Sequence, residues 1–113
     1  MKYEYAYIME NEYGYIKVGK ANNPEKRRKY LNTWSKFGEK YTILEIFEFD
    51  NVEDAYEMEI WLHRYYKAIG GVLYGQDHFL NVEFHPYDMS ILEEKAKEIR
   101  KKSKEWLDNY FLM

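Results

Sequence analysis

Residues 3–19 have the sequence YEYAYIMENEYGYIKVG, and this stretch decides the fold. Apolar and polar side chains alternate over residues 3–9, which predicts a β-strand. Residues 10–14 are polar and end in a glycine, as is typical of a hairpin turn, and residues 15–19 predict the return strand. We therefore expect an antiparallel hairpin at the start of the domain.

A helix is predicted directly after this hairpin, over about residues 24–33. Asn23 can cap its first turn, Pro24 suits the first helical position, and Glu25 faces the positive end of the helix dipole. The helix carries four consecutive basic residues at positions 26–29.

The strongest strand pattern in the chain covers Tyr41–Phe49, which we expect to be the central or third strand. A second helix is predicted from Asp50 or Asn51 to about residue 68, ended by the two glycines at 70 and 71. Its predicted buried stripe comprises Ala55, Met58, Ile60, Trp61, Leu62 and Tyr65 or Tyr66.

The remainder is predicted to be a loop over residues 72–87, with a short extended piece at about 78–81, and then a charged amphipathic helix over about 88–110. The apolar positions of this last helix are Ile91, Leu92, Ala96, Ile99, Trp106 and Leu107. The pattern predicts an α+β fold in which a small, mainly antiparallel three-stranded sheet is flanked by helices. We expect a single domain over residues 1–113, with its core in residues 3–81.

Composition limits the class of protein. The chain has 113 residues and no cysteine, which excludes disulfides and thiolate metal sites. No apolar run approaches the roughly 20 residues of a membrane span, and the first residues have strand alternation rather than a signal peptide's apolar block. We therefore expect a cytoplasmic protein, either bacterial or a phage protein in its host. Most of the 13 Tyr, 6 Phe and 3 Trp are expected to pack rather than to stack on bases.

The net charge of −3 hides a strong division along the chain. Residues 1–40 hold nine Lys/Arg against five Asp/Glu, whereas residues 41–94 hold two against twelve. Residues 95–113 are again basic, with six against three. Because phosphate binding needs local positive potential rather than a basic average, the first third can form a DNA-binding surface. The acidic middle offers an alternative surface for a basic protein partner.

Several short motifs together resemble the GIY-YIG nuclease superfamily, over about residues 3–81. Residues 5–7 and 17–19 correspond in order and spacing to its Gly-Ile-Tyr and Tyr-Ile-Gly strands, and Arg27 has the spacing of its helical arginine. Residues 59–63 (EIWLH) resemble the Glu-x-x-Leu-His helix of a phage-associated subgroup, and residues 75–79 (GQDHF) its closing Gly-Glu-Trp-Phe. The chain departs from the motifs in having Tyr5 and Ala6 in the first and a lysine in place of the second tyrosine.

This resemblance implies a metal-dependent DNA endonuclease with Tyr7, Lys17, Arg27 and Glu59 as its catalytic residues. Phosphodiester hydrolysis needs an activated water, neutralised phosphoryl oxygens and a stabilised leaving oxygen. An ammonium beside a phenol lowers its pKa, so Lys17 can tune Tyr7 as general base. Arg27 offers a bidentate fork to phosphate, and Glu59 a carboxylate for a single Mg²⁺ or Mn²⁺.

Each of these residues also has an ordinary structural interpretation. Lys17 is typical of a solvated strand charge, Gly19 of a strand end, and a basic run such as residues 26–29 of a solvated helix face. Glu57 competes with Glu59 as metal ligand, because only the Leu-His context selects the latter.

Secondary roles are assigned to residues around this set. His63 lies four residues after Glu59 on the same helical face, and Asn81 falls where the superfamily often has an asparagine near the site. The side chains expected to contact DNA phosphates without reading sequence are those of Lys20, Lys26, Arg28 and Lys29. His78 and His85 lack the spacing of a zinc site.

Three functions remain open from sequence. The first is a DNA endonuclease, the second a catalytically inactive DNA-binding domain of the same fold, and the third a phage factor that binds a host protein through its acidic surface. Fold alone does not choose among them, and the sequence indicates no oligomeric state.

Overall fold

Three long antiparallel strands form the centre of the fold: β1 (Glu4–Asn11), β2 (Tyr15–Ala21) and β3 (Tyr41–Phe49). The computed structural model describes residues 4–34, 38–69, 73–74, 78–80 and 87–112. The helices are α1 (Pro24–Trp34), α2 (Val52–Ala68) and α3 (Met89–Leu112). The predicted α+β fold, with a three-stranded antiparallel sheet flanked by helices, is confirmed.

Two short strands extend this sheet within the described residues, β4 (Leu73–Tyr74) and β5 (His78–Leu80). The strand order is β3-β1-β2-β5-β4, with every pair antiparallel. Of the two alternatives predicted for Tyr41–Phe49, it is the third strand in the chain, while the central position is wrong because β1 lies between β3 and β2. β5 confirms the extended piece predicted near residue 78, whereas β4 falls in a segment predicted to be loop, because a two-residue strand leaves no alternation to detect.

The β1–β2 hairpin is closed by Asn11, as the polar turn predicts. The Asn11 side-chain oxygen accepts hydrogen bonds from the backbone N–H groups of Tyr13 (2.9 Å) and Tyr15 (3.0 Å). Gly14 has a φ of 84°, a left-handed conformation that glycine adopts without strain, and its N–H donates to the Asn11 carbonyl at 3.0 Å. This turn fixes the register in which Tyr7 lies opposite Gly19.

Alternation along β1 and β2 separates the sheet into two faces. Ala6, Ile8, Ile16 and Val18 are fully buried in the main core, which α2 and α3 cover. Tyr7 and Met9 point to the other face, where they form a second buried cluster with Tyr41. The odd-numbered residues Tyr7 and Met9 of β1 thus belong to the α1 side of the sheet, as do their register partners Gly19 and Lys17 of β2.

Helix α1 is attached to this second face by few contacts. Asn23 caps it as predicted, accepting from the Lys26 N–H at 3.1 Å. Leu31 packs on the second cluster, and Asn32 accepts a 2.6 Å hydrogen bond from the Tyr41 N–H at the start of β3. Pro24 is its one fully buried residue, so most of the helix surface faces solvent.

Helices α2 and α3 cover the main-core face. Of the two predicted starting residues, Asp50 and Asn51, it is Asn51 that caps α2, accepting from the Asp54 N–H at 2.8 Å. The buried members of the predicted α2 stripe are Ala55, Met58, Leu62 and Tyr66, while Ile60 and Trp61 are only half-buried. None of the described helices has the length and apolar character of a membrane span.

Only the middle of the apolar stripe predicted for α3 is buried, at Leu92, Ala96 and Ile99. Near the end of β3 the Arg100 Nε donates to the Glu48 carbonyl at 2.9 Å. The last apolar positions of the helix, Trp106 and Leu107, are exposed at 64% and 44%, so the amphipathic pattern does not correspond to burial there. Ile91 is also exposed rather than buried.

Candidate functional site

Tyr7 crosses from β1 to lie directly over Gly19 of β2. The two residues are register partners, and a methyl group built on Gly19 would lie 2.6 Å from Cζ of Tyr7 and 3.1 Å from Cε2. Tyr7 is only 1% exposed. Gly19 therefore does not end a strand, since β2 continues to Ala21; it provides the space for the tyrosine ring. The phenol is thereby carried across β2 towards the outer edge of that strand.

Lys17 lies on the same face of β2, two residues before Gly19 and opposite Met9. Its exposure is 7%, so the interpretation of a solvated strand charge is wrong. Lysine is almost never buried to this extent unless its charge is compensated. A buried lysine next to the Tyr7–Gly19 pair is the arrangement that the base-tuning role requires.

Arg27 stands at the rim of an open groove of about 390 Å³ on the same side of the molecule. The groove is formed where β2 ends and α1 begins, and its lining residues are Lys20, Ala21, Asn22, Asn23, Lys26, Arg27 and Tyr30. Ala21 also packs on the Tyr7 cluster, so the groove adjoins the buried site. Two features of this groove favour an anion. The basic side chains carry full positive charge, and the free backbone N–H groups at a helix N-terminus carry partial positive charge.

The other predicted DNA contacts have different surroundings. Lys20 and Lys26 line the groove with Arg27, whereas Lys29 is exposed outside it. Arg28 is engaged by Glu25, with its Nε at 3.0 and 3.1 Å from the two carboxylate oxygens. This hydrogen bonding lowers the pKa of Glu25 and raises that of Arg28. The charge of Arg28 is thus partly neutralised before any phosphate arrives.

Glu59 lies in a different layer from the other three predicted catalytic residues. It belongs to α2, which packs on the main-core face, whereas Tyr7 and Lys17 point to the α1 face. It is half-buried, as is His63 one turn later. The structure therefore brings Tyr7 and Lys17 onto one face, with Arg27 at the adjoining groove, and places Glu59 beneath the sheet.

The flank of α2 that carries Glu59 can be identified from the contacts of the opposite flank. Glu57 lies 3.8 Å from Lys102 of α3, and the Tyr65 hydroxyl accepts a 2.7 Å bond from the Asp88 N–H just before α3. Because successive residues are rotated by roughly 100° around the helix axis, Glu59 and His63 project from the side of α2 opposite to these α3-facing positions. Because α3 packs beside β3, the flank of Glu59 faces the β2 side of the sheet.

The outer edge of β2 is where the two layers can meet. β5 pairs with β2 only from Tyr15 to Lys17. Within the described residues no strand pairs with the outer edge from Val18 to Ala21, the segment over which the Tyr7 ring lies. At this edge the phenol and the Arg27 groove lie on one side of the sheet and the Glu59 flank of α2 on the other.

The donor set is compatible with one hydrated cation. Among the described residues, no three His, Asp or Glu side chains are grouped closely enough to hold a metal ion. Mg²⁺ commonly keeps several waters and uses only one or two protein carboxylates, which a single glutamate satisfies. Glu57, exposed and turned towards Lys102, is a poorer candidate than Glu59.

The remaining predicted residues, His78, Asn81 and His85, follow α2 in the chain. Asn81 and His85 lie outside the described residues, and only the backbone of His78 is described, in its pairing with Lys17. Two features of the site were not predicted from the sequence: the role of Gly19 beneath Tyr7, and Tyr30 in the groove. The first was detectable, since a turn centred on Tyr13 pairs residue 7 with residue 19.

Comparison with known proteins defines the class to which this fold and groove belong. The T5orf172 domain model matches residues 4–107, which include β1, β2, α1, β3 and α2 entirely and most of α3. The chain therefore belongs to the T5orf172 domain family, a phage-associated domain related to nuclease-like folds. No curated protein and no solved structure shows significant similarity to it.

Proposed function

We propose that this domain is a metal-dependent DNA endonuclease of the GIY-YIG type, which hydrolyses phosphodiester bonds at the open edge of β2. The observation that carries the proposal is the Tyr7 ring lying over Gly19, beside a buried Lys17 and next to a basic groove. A buried ammonium costs free energy unless its charge is compensated, so the position of Lys17 beside the Tyr7–Gly19 pair supports a functional role. Membership of a nuclease-related, phage-associated family supports the same function.

In this proposal Tyr7 is the general base, and Lys17 lowers its pKa by stabilising the phenolate. Tyr7 takes a proton from a water molecule, whose oxygen forms a bond to phosphorus as the bond to the leaving 3′ or 5′ oxygen breaks. Arg27 binds the non-bridging oxygens, where charge develops in the transition state. The oxygen that leaves takes a proton from solvent.

Glu59 is the residue that would hold the Mg²⁺ or Mn²⁺ ion, with His63 beside it. When bound, the cation supplies neutralisation of the phosphoryl and leaving oxygens. The sheet separates Glu59 from Tyr7. The Glu59 carboxylate would therefore reach the scissile phosphate around the outer edge of β2, at residues 18–21.

The test is nicking of supercoiled plasmid in the presence of Mg²⁺. We expect the wild type to nick, and Arg27→Ala and Glu59→Ala to abolish nicking without changing the circular dichroism spectrum. Glu57→Ala is the matched control on α2 and should retain activity, while Arg28→Ala should retain more activity than Arg27→Ala because Glu25 already holds that guanidinium. Nicking that survives in both Arg27→Ala and Glu59→Ala would overturn the assignment.

A second candidate is a DNA-binding domain without catalysis, and the placement of Glu59 in the other layer favours it. Such a protein binds DNA through Lys20, Lys26 and Arg27 at the groove, with the salt dependence of phosphate contacts. Salt-sensitive binding with no nicking in Mg²⁺ or Mn²⁺ would establish this candidate. If DNA is neither bound nor cut, both candidates fail and a protein partner for the acidic residues 41–94 becomes the favoured function.

A further inference from the structure

Helix α1 exposes two large aromatic side chains beside the basic groove. Tyr30 is 55% exposed and Trp34 is 71% exposed, although a Trp ring is on average largely buried in a folded protein. Both lie on the solvent side of a helix whose contact with the sheet is made by Pro24, Leu31 and Asn32. Packing of the described residues therefore does not account for them.

The two rings continue the groove along the helix. Tyr30 lines the groove, and the Arg27 guanidinium lies 5.8 Å from the centre of its ring. Trp34 follows one turn later, with its ring centre 6.5 Å from that of Tyr30. Arg27, Tyr30 and Trp34, at positions i, i+3 and i+7, form one row that we call the α1 aromatic row.

We propose that the α1 aromatic row is a stacking platform for unpaired bases, so that the preferred substrate is DNA with a single-stranded segment beside the bond to be cut. This inference rests on the DNA-binding function proposed above and adds its substrate class. Exposed aromatic rings next to cationic side chains bind single strands, because every base offers a π face and the cations hold the backbone.

Charge and spacing favour this occupant over an apolar protein segment. The row adjoins Lys20, Lys26 and Arg27 and belongs to the part of the chain with a net charge of +4, residues 1–40. The ring centres of Tyr30 and Trp34 are 6.5 Å apart and their planes are inclined by 44°, so the rings are not stacked on each other and each offers a face of its own. Unpaired bases can stack on such faces, whereas the faces of bases in a duplex are already covered by their neighbours.

The geometry also relates the platform to the cleavage site. A strand whose phosphate is held by Arg27 places its nucleotides over Tyr30 and Trp34 in one direction and over the β2 edge in the other. When the single-stranded segment is held on the platform, the distance from the platform to the β2 edge would therefore determine which bond is cut.

The experiment measures fluorescence anisotropy of a labelled dT oligonucleotide and of a duplex of the same length, with EDTA present so that nothing is cut. We expect Trp34→Ala to weaken binding of the single strand by about tenfold and binding of the duplex by less than about twofold. The salt dependence of single-strand binding should stay the same, since no charge is removed. Trp34→Phe, which keeps a ring, should remain within about threefold of the wild type.

Trp106→Ala is the matched control, because Trp106 is also exposed on a helix (64%) but lies far along α3. It should change neither affinity. Equal effects of Trp34→Ala on single strand and duplex, or equal effects of the two tryptophan variants, would overturn the proposal. So would a change in oligomeric state by Trp34→Ala without a change in DNA binding, which would identify the row as a protein contact.

The same measurement separates this inference from the function on which it rests. If the wild type binds duplex DNA in a salt-dependent way and Trp34→Ala has no selective effect, only the stacking platform is refuted. If the wild type binds neither DNA, the DNA-binding function is refuted as well.

Discussion

The ring of Tyr7 fills the space above Gly19 that a side chain at position 19 would otherwise occupy. Cζ of Tyr7 lies 2.6 Å from the position where a methyl group on Gly19 would be. Atoms cannot approach so closely, so the tyrosine position and the absence of a side chain at residue 19 depend on each other. This pair links the hairpin register to the placement of the proposed general base.

Gly19→Ala should lower the free energy of unfolding by about 1–3 kcal/mol, the usual cost of overpacking a buried site. In a Tyr7→Leu background the cost should be much smaller, because Cζ and the hydroxyl are gone. Urea denaturation of the two single variants and the double variant measures this coupling. Simple additivity of the two costs would show that the ring does not occupy the space above Gly19.

Lys17→Met should lower nicking strongly while leaving the fold intact, because methionine fills the buried space of the lysine stem. Without the ammonium the pKa of the Tyr7 phenol is no longer lowered, so the remaining activity should shift to higher pH. Nicking rates between about pH 7 and about pH 9 measure the shift. Lys97→Met, on the exposed surface of α3, is the control. An identical pH profile for wild type and Lys17→Met would rule out the tuning role.

Glu59→Gln should raise the Mg²⁺ concentration needed for half-maximal nicking at least about tenfold, since an amide is a much poorer ligand than a carboxylate. Glu57→Gln removes the same charge two residues earlier and breaks only the exposed 3.8 Å pair with Lys102, so it should have almost no effect. Titration of Mg²⁺ in the nicking assay compares the two variants. Equal behaviour of both would exclude Glu59 as the specific ligand.

The stability of Asp54→Asn relative to the wild type should increase as the pH rises. Burial raises the pKa of Asp54 above its ordinary value, against hydrogen bonds from Ser103 and Asn51 that lower it. A carboxyl with a raised folded pKa favours folding only while protonated, so wild-type stability is lost as pH rises through that pKa. The difference in unfolding free energy between variant and wild type, measured from about pH 3.5 to about pH 6.5, should therefore increase with pH. A flat difference would contradict the raised pKa.

Lys26→Ala should weaken duplex binding and reduce the slope of log affinity against log salt by about one, as for one phosphate contact. Arg28→Ala should change the slope less, because Glu25 already holds that guanidinium. Anisotropy titrations at several salt concentrations compare the two variants. A larger slope change for Arg28→Ala would mean that the groove containing Lys26 is not the main phosphate contact.

Local sequence was sufficient for the secondary structure of the long elements. The hairpin turn at Asn11–Gly14 and the Asn23–Pro24 start of α1 are as predicted, and α2 is capped by Asn51, one of the two predicted starting residues. Such features are predictable because caps and turns depend on neighbouring residues. The bounds of β3, Tyr41–Phe49, are those predicted from its apolar run. Sheet order was beyond this reasoning, and β3 lies at the side of β1 rather than at the centre.

Burial followed from the packing of elements that are distant in sequence. Lys17 is buried because Tyr7, Met9 and their cluster occupy the face to which it points, which a strand pattern cannot show. Trp106 lies on the same face of α3 as Ile99, yet Ile99 is buried and Trp106 is exposed. Amphipathic periodicity identifies a face of a helix but not how much of that face has a partner.

By itself the sequence determined the hairpin, the caps, the long helices and the residue types of a phosphate site, since these depend on interactions within a few residues. Only the tertiary structure decided that Tyr7 lies over Gly19, that Lys17 is buried, and that Glu59 occupies the opposite layer. The physical reason is that a strand sends successive side chains to opposite faces and a helix distributes them around its axis. The element that covers each face is then chosen by packing between distant parts of the chain.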